Sequence, residues 1–240
     1  MDQKINNNID AKTLSELGEK TIVKEITSFL SVDERLIGGF GGDQVANMWR
    51  ITDDFWDKWE LLYAMFERAE KWSVHTGAGN WPDADMLPIG PILKDYDKNA
   101  RTKFTEDEQY TMLTLWSIFR SPLMIGGEMT GFDEFTMKLI TNERILGMHS
   151  DSRHAHQVWR KNVGGIEHVL WTSVSQNGGQ YLAVFNTGEA DSEISIDFAE
   201  LEMPAGKKEV CELWSGETCV AEESISVKLN KHGAKAFLVK

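Results

Sequence analysis

Apolar side chains recur at helical spacing from Phe55 through Trp59, Leu62, Tyr63 and Phe66, with Asp57, Lys58, Glu60 and Glu67 between them. That period predicts an amphipathic helix running to about Trp72 with one face turned inward. Ahead of it, Val45–Ile51 reads as a short strand and Thr52-Asp53-Asp54 as the polar turn between the two. A second helical run, Tyr110, Met112, Leu113, Leu115, Trp116 and Phe119, opens at Thr105, which forms a capping box with Glu108 three residues on. It runs to Arg120, and Pro122 stops it. Leu123–Ile125 reads as a strand before Gly126-Gly127, and a further helix begins near Asp133 and continues into Asn142–Leu146. Strands alternating with helices imply a parallel sheet with crossover connections.

After His149 the period shortens. Val158-Trp159, Glu167–Ser173, Tyr181–Asn186, Glu193–Phe198, Lys208–Leu213, Ser224–Leu229 and Ala234–Val239 are β-rich runs separated by turns such as Asn177-Gly178-Gly179 and Lys231-His232-Gly233. Regularly spaced strands without a helical pattern predict an antiparallel sandwich. The expected division is therefore an α/β region over 1–150 and a sandwich over 151–240. At the other end, residues 1–12 are polar and Asn-rich and read as disordered, followed by a short helix over Leu14–Ile26. Gly38-Gly39-Phe40-Gly41-Gly42 lacks the lysine and hydroxyl residue of a phosphate cradle and reads as a flexible loop.

A formal charge of −13 argues against nucleic acid or an anionic membrane as partner, since both select a basic face. No apolar run approaches the length of a membrane span, and the first residues lack a signal-peptide core. Two cysteines, Cys211 and Cys219, allow either one bridge or two reduced thiols and build no metal knuckle. His154 and His156 form a pair with no evident third ligand, so neither metal nor cofactor is expected. Nine tryptophans suit core packing or a carbohydrate site, where flat rings cover the apolar faces of sugars.

Two acidic stretches, Thr52–Asp54 and Pro82–Asp85, each adjoin a strand in the alternating region, and tryptophan lies close to both. The aspartates of the first could simply cap the following helix. Alternatively, parallel strands gather such loops at one mouth, so that Asp54 and Asp85 converge there. Carboxylates beside an arginine and aromatic rings suit sugar hydrolysis, one protonating the leaving oxygen while others hold hydroxyls.

Three segments in order, Asn47–Asp54, Gly79-Asn80-Trp81-Pro82-Asp83-Ala84-Asp85-Met86-Leu87 and Arg120-Ser121-Pro122-Leu123-Met124, resemble the retaining α-galactosidases of glycoside hydrolase family 27. The resemblance covers about residues 45–240. It implies the C-terminal part of a (β/α)8 TIM barrel followed by an antiparallel β-sandwich. In the family's pattern the general acid/base falls on Asp54. Arg50 helps hold the sugar and the carboxylates, Asp85 and Met86 contact galactose, and the Trp81 and Asp83 positions shape that loop, with Trp81 near the rim.

The family's nucleophile, an aspartate in a Lys-x-Asp strand, has no counterpart in residues 1–45, and Lys94-Asp95 falls in a polar connection where that strand cannot lie. The chain thus corresponds to roughly half of the eight units, against about 250 residues for a whole barrel. It reads as truncated or interrupted, with its natural N-terminus, and so its compartment, left open. The expected function is hydrolysis of terminal α-galactosyl residues, with a galactose-containing oligosaccharide or glycoside as partner and the nucleophile half lacking. The alternative is a non-catalytic remnant that binds sugar or serves structurally. Relatives of this kind handle α-galactosides, N-acetylgalactosaminides and β-L-arabinopyranosides. An open half-barrel is also expected to self-associate, because barrel strands are buried on both faces when complete.

Overall fold

A computed structural model describes residues 47–92, 97 and 99–240. The readings made for residues 1–46, and most of the polar connection at 93–98, lie outside the described residues. The first part carries two parallel strands, β1 (Met48–Arg50) and β2 (Trp81–Asp83), with helix α1 (Trp59–Ser73) between them. A parallel bridge between Leu87 and Ile125 extends the pattern, and helix α2 (Glu106–Phe119) crosses back before it. Helices α3 (Glu134–Ile140) and α4 (Glu143–Asp151) follow. This is the C-terminal part of a β/α barrel, and an antiparallel β-sandwich comes after it.

Strand β1 ladders with β2 in the register Met48↔Trp81, Trp49↔Pro82 and Arg50↔Asp83, and Ile51 N–H extends it by donating to the Asp83 carbonyl at 2.9 Å. Helix α1 starts at Trp59 rather than Phe55. Its N-cap is Lys58, with no side-chain cap bond, so the aspartates of the turn do not cap it. Its inward stripe is Leu62, Met65, Phe66, Ala69 and Trp72, the spacing that 3.6 residues per turn requires. Phe55 instead packs in the loop between Trp116 and Phe104, with ring centroids at 5.0 and 6.0 Å.

Helix α2 has the full capping box at Thr105 and ends at Arg120 in the left-handed conformation, φ 64°, two residues before Pro122. It is buried nearly all round, because barrel elements cover one side and the sandwich the other. The single helix expected from Asp133 onward is two. Asn142 accepts from the Arg144 and Ile145 N–H groups and so starts a new helix, which apolar spacing alone could not reveal.

The sandwich carries a six-stranded antiparallel sheet in the order β3-β4-β5-β10-β7-β8, faced by the pair β6-β9. These strands are β3 (Ser152–Val163), β4 (Ile166–Ser175), β5 (Gln180–Asn186), β6 (Ser192–Asp197), β7 (Lys208–Glu212), β8 (Thr218–Ala221), β9 (Ser224–Leu229) and β10 (Ala234–Val239). Strand β8 falls within residues 217–223, an acidic run that reads from sequence as solvated surface. Its residues are largely exposed because it is the sheet's edge. Strands β4 and β5 are buried on both faces, and successive side chains alternate between two cores. Leu170, Leu182 and Val184 join Ile194, Ile196 and Val227 under β6-β9. Val169, Trp171, Tyr181, Ala183 and Phe185 face the helices and share one cluster with Phe66, Trp116 and Phe119.

That shared cluster ties the two parts. Phe66 meets Phe185 edge-on at 4.9 Å, and Trp59 stacks on His232 at 3.5 Å. His232 Nδ1 lies 2.8 Å from Glu108 Oε1, and Trp214 Nε1 donates to Thr114 Oγ1 at 3.0 Å. Cys219 pairs with Val210 in the β7–β8 register and Cys211 with Thr218, so the two thiols project from opposite faces and do not bridge to each other. Among the described residues no helix is long and apolar enough to cross a membrane.

Candidate active site

The parallel strands run the same way, so β1 and β2 deliver Thr52–Asp54 and Ala84–Met86 to the same end of the sheet. Arg50, the last residue of β1, connects the two loops. Its Nη1 donates to Asp54 Oδ1 at 3.0 Å and its Nη2 to Asp85 Oδ2 at 2.9 Å. One guanidinium thus bridges both carboxylates, which its planar set of donors is shaped to do. The Asp85 oxygen also accepts from Phe55 N–H at 2.7 Å, so the first loop is fastened to the second by main chain as well.

The two carboxyl groups differ in access. The Asp54 side chain is 78% exposed and that of Asp85 only 17%. Asp54 is thus the group that a solvent-borne molecule reaches, and Asp85 is a hydrogen-bond acceptor set into the wall. Met86 follows Asp85 and packs against Gly126. A Cβ at Gly126 would stand 2.5 Å from the Met86 sulfur, so a larger residue there would push that side chain from its place.

Beneath the arginine lies Asp83, its register partner and almost fully buried. Burial pushes the Asp83 carboxyl up to about 6. The Asp85 N–H pulls it back, the Asp85 carboxylate raises it, and Arg50 lowers it. Ser121 Oγ accepts from Ala84 N–H at 2.9 Å, and Trp116 Nε1 donates to the Asp85 carbonyl at 3.1 Å. Apolar periodicity gave Trp116 as helix core, and nothing in it signals the second task of its indole N–H.

The structure brings Arg50, Asp54 and Asp85 together with Met86 beside them, but it does not bring Trp81 there. Trp81 opens β2 opposite Met48, at the end of the strand away from the two loops. The Arg120 guanidinium lies over its ring at 4.6 Å and also donates to the His149, Ser150 and Ser152 carbonyls at 2.9, 3.3 and 3.0 Å. Burial lowers Arg120 to about 10, with Arg153 pushing the same way and Asp151 opposing. Trp81 thus lies at the far end of β2 from the two loops and packs against Arg120, not at the rim beside Asp54. Three residues of chain lie between it and Asp85, and strand geometry converts that into distance rather than contact.

Among the described residues no group of three or more His, Cys, Asp or Glu could hold a metal ion. His156 Nδ1 lies 2.9 Å from the His154 carbonyl.

Comparison with known proteins agrees with this architecture. The family model described as alpha galactosidase A matches residues 40–151, and that of the alpha galactosidase C-terminal beta sandwich domain matches 165–239. Alpha-galactosidase 2 of Arabidopsis thaliana is 23% identical over 201 residues, which are 82% of this chain and 47% of that protein. The crystal structure of a GH27 β-L-arabinopyranosidase from Geobacillus stearothermophilus is 43% identical with a TM-score of 0.77, covering 82% of this chain and 46% of that one. Alpha-galactosidase I from Mortierella vinacea, 19% identical with a TM-score of 0.72 over 85% of this chain and 55% of its own, shares the fold. The chain spans about half the length of the relatives it matches.

Proposed function

The chain belongs to the glycoside hydrolase family 27 alpha-galactosidases, covering the C-terminal half of the barrel and the β-sandwich, and on that premise we propose that it carries the acid/base half of a retaining glycosidase site. The observation that supports this most is the Arg50 bridge, which sets the exposed Asp54 beside the recessed Asp85. Asp54 is the general acid/base, giving its proton to the leaving oxygen and later taking one from water. Asp85 and Arg50 hold sugar hydroxyls, and Met86 lies against the ring. The attacking carboxylate is assigned to none of this chain's residues. It belongs to the other half of such a barrel. We also place the division between the catalytic region and the sandwich at residues 150/151.

The substrate is a terminal α-galactosyl group or its pentose counterpart. L-Arabinopyranose presents the ring hydroxyls of galactose without the hydroxymethyl group, so Asp85 and Arg50 suit both. The likeness to an arabinopyranosidase makes the pentose the second reading. The test is complementation. The 240-residue chain alone is expected to show no turnover of an aryl α-D-galactoside or an aryl β-L-arabinopyranoside, because an acid without a nucleophile contributes only about 10²–10⁴-fold. Mixed with, or fused behind, the N-terminal barrel half of a relative, it is expected to hydrolyse at least one of them. Asp54→Asn should abolish that activity. Hydrolysis by the isolated chain that survives Asp54→Asn would sink the assignment.

A further inference from the structure

Asp85 is left-handed, with φ +76°. A non-glycine residue keeps such a backbone only where its surroundings over-determine it. Here they do. Its carbonyl accepts from Trp116 Nε1, its carboxylate from Phe55 N–H and Arg50 Nη2, and its own N–H donates to Asp83 Oδ1 at 2.8 Å. The last bond closes a tight turn of Asp83 onto the backbone two residues ahead, a habit of aspartate side chains. Of these partners only Asp83 is a buried carboxyl, 3% exposed on the face it shares with Arg50. Burying a carboxyl is costly, so its presence there calls for a role.

We propose that Asp83 is a positioning residue. By holding the Asp85 N–H, it keeps Asp85 in the left-handed conformation that aims its carboxylate at Arg50 and at the Phe55 N–H. Asp83 acts through Asp85 and through it on the loop that carries Asp54. The inference rests on the functional reading above only in that the group being aimed is taken to bind sugar. The aiming itself is testable without any sugar.

The decisive amide is that of Phe55, which donates to Asp85 and has no bond to Asp83. In the 240-residue chain, Asp83→Ala is expected to speed hydrogen exchange at Phe55 about tenfold, the worth of one hydrogen bond, while Ala183 in β5 exchanges as before. Asp83→Asn keeps an acceptor oxygen and should restore Phe55 protection to within about twofold, since a neutral acceptor loses only part of the bond. Phe55 protection unchanged in Asp83→Ala, or lost equally in Asp83→Asn, overturns the proposal. If Asp83→Ala does not fold, Asp83→Ser takes its place. Its hydroxyl is a weaker acceptor, so Phe55 exchange should fall between wild type and the tenfold change, and wild-type protection would overturn the proposal.

Titration with D-galactose and L-arabinose separates this from the functional reading. Wild-type binding that weakens about tenfold in Asp83→Ala and returns in Asp83→Asn supports both. If the wild type binds neither sugar, the sugar-site reading fails and the exchange data alone decide the positioning role. Equal sugar binding by wild type and Asp83→Ala, with Phe55 exchange raised tenfold, keeps the positioning role and takes Asp85 out of the sugar site; with Phe55 exchange unchanged it overturns the proposal.

Discussion

Strands β4 and β5 in the sandwich and strand β1 in the barrel part all turn successive side chains to opposite faces, yet those faces meet different surroundings. Both faces of β4 and β5 are covered, one by β6-β9 and the other by the helices, so nearly every side chain is buried. Strand β1 has one covered face, where Trp49 meets Trp72 at 6.0 Å. Its other face presents Met48, 43% exposed, and Arg50. Closure on both sides supplies stability, and a face left accessible supplies chemistry. The Arg50 bridge lies on the second kind of surface, and the buried carboxyl of Asp83 lies beneath it.

The largest expected effect lies on the closed side. Trp171 is fully buried, with Phe119 edge-on at 6.4 Å. Trp171→Ala should lower the unfolding free energy by about 3–5 kcal/mol in denaturant titration, since a cavity is added to the lost transfer energy. If instead the loss is under about 1 kcal/mol, the sheet–helix core is not the stabilising unit that its packing suggests.

The next concerns the buried acid under the open face. Because Asp83 is raised to about 6 when folded, the unfolded chain releases that proton first as pH rises from its ordinary carboxyl range. Folded protein then binds more protons than unfolded, so this group's contribution falls with rising pH and the full penalty stands above about 6. The penalty approaches 3 kcal/mol at about 1.36 kcal/mol per pH unit. Asp83→Asn should flatten the stability profile between about pH 4 and 6 relative to wild type. Parallel profiles would show that Asp83 ionises as easily as a free carboxyl.

A smaller effect is expected at the helix that both regions share. Thr105→Ala removes half of the capping box of α2 and should cost about 1 kcal/mol, without altering sugar binding. The smallest concerns the exposed face of β1. We propose that Met48, with the exposed Met124 and Ile125, lets the chain self-associate. Sedimentation velocity should show concentration-dependent dimers that Met48→Lys weakens. A concentration-independent monomer would end that reading.

Legibility in the sequence followed the same division. Where one force dominated, the chain was readable. The capping box of α2 needs only two residues, and Ser224–Leu229 is bounded as strand β9 is. That Asp54 and Asp85 lie at one end of the sheet was legible because parallel strands send their following loops the same way, while the place of Arg50 between them came from the family resemblance. The misses came where two forces competed. Apolar spacing runs through Thr141, and only the side chain of Asn142 breaks the helix there. Strand β8 is a short exposed edge between Glu217 and Glu222, so the charges around it hid it. Trp81 sat within a site-like motif, but a motif does not say which end of its strand faces the mouth. The left-handed backbone of Asp85 left only the pattern Asp83-x-Asp85 as a signal, and a side chain reaching back to its own chain is too local for periodicity to register.

The double-sided burial of β4 and β5 has a consequence for how this sequence can change over generations. Residues there alternate strictly between two interiors of different shape, one lined by Leu170, Leu182 and Val184 and the other by Trp171 and Phe185. Replacing one apolar residue by another of similar volume disturbs one interior slightly. Inserting or deleting a single codon exchanges the contents of both along the rest of the strand. Descendants of this gene should therefore differ freely in the letters of these two strands and hardly at all in their length, with changes of length gathered in turns such as Asn177–Gly179.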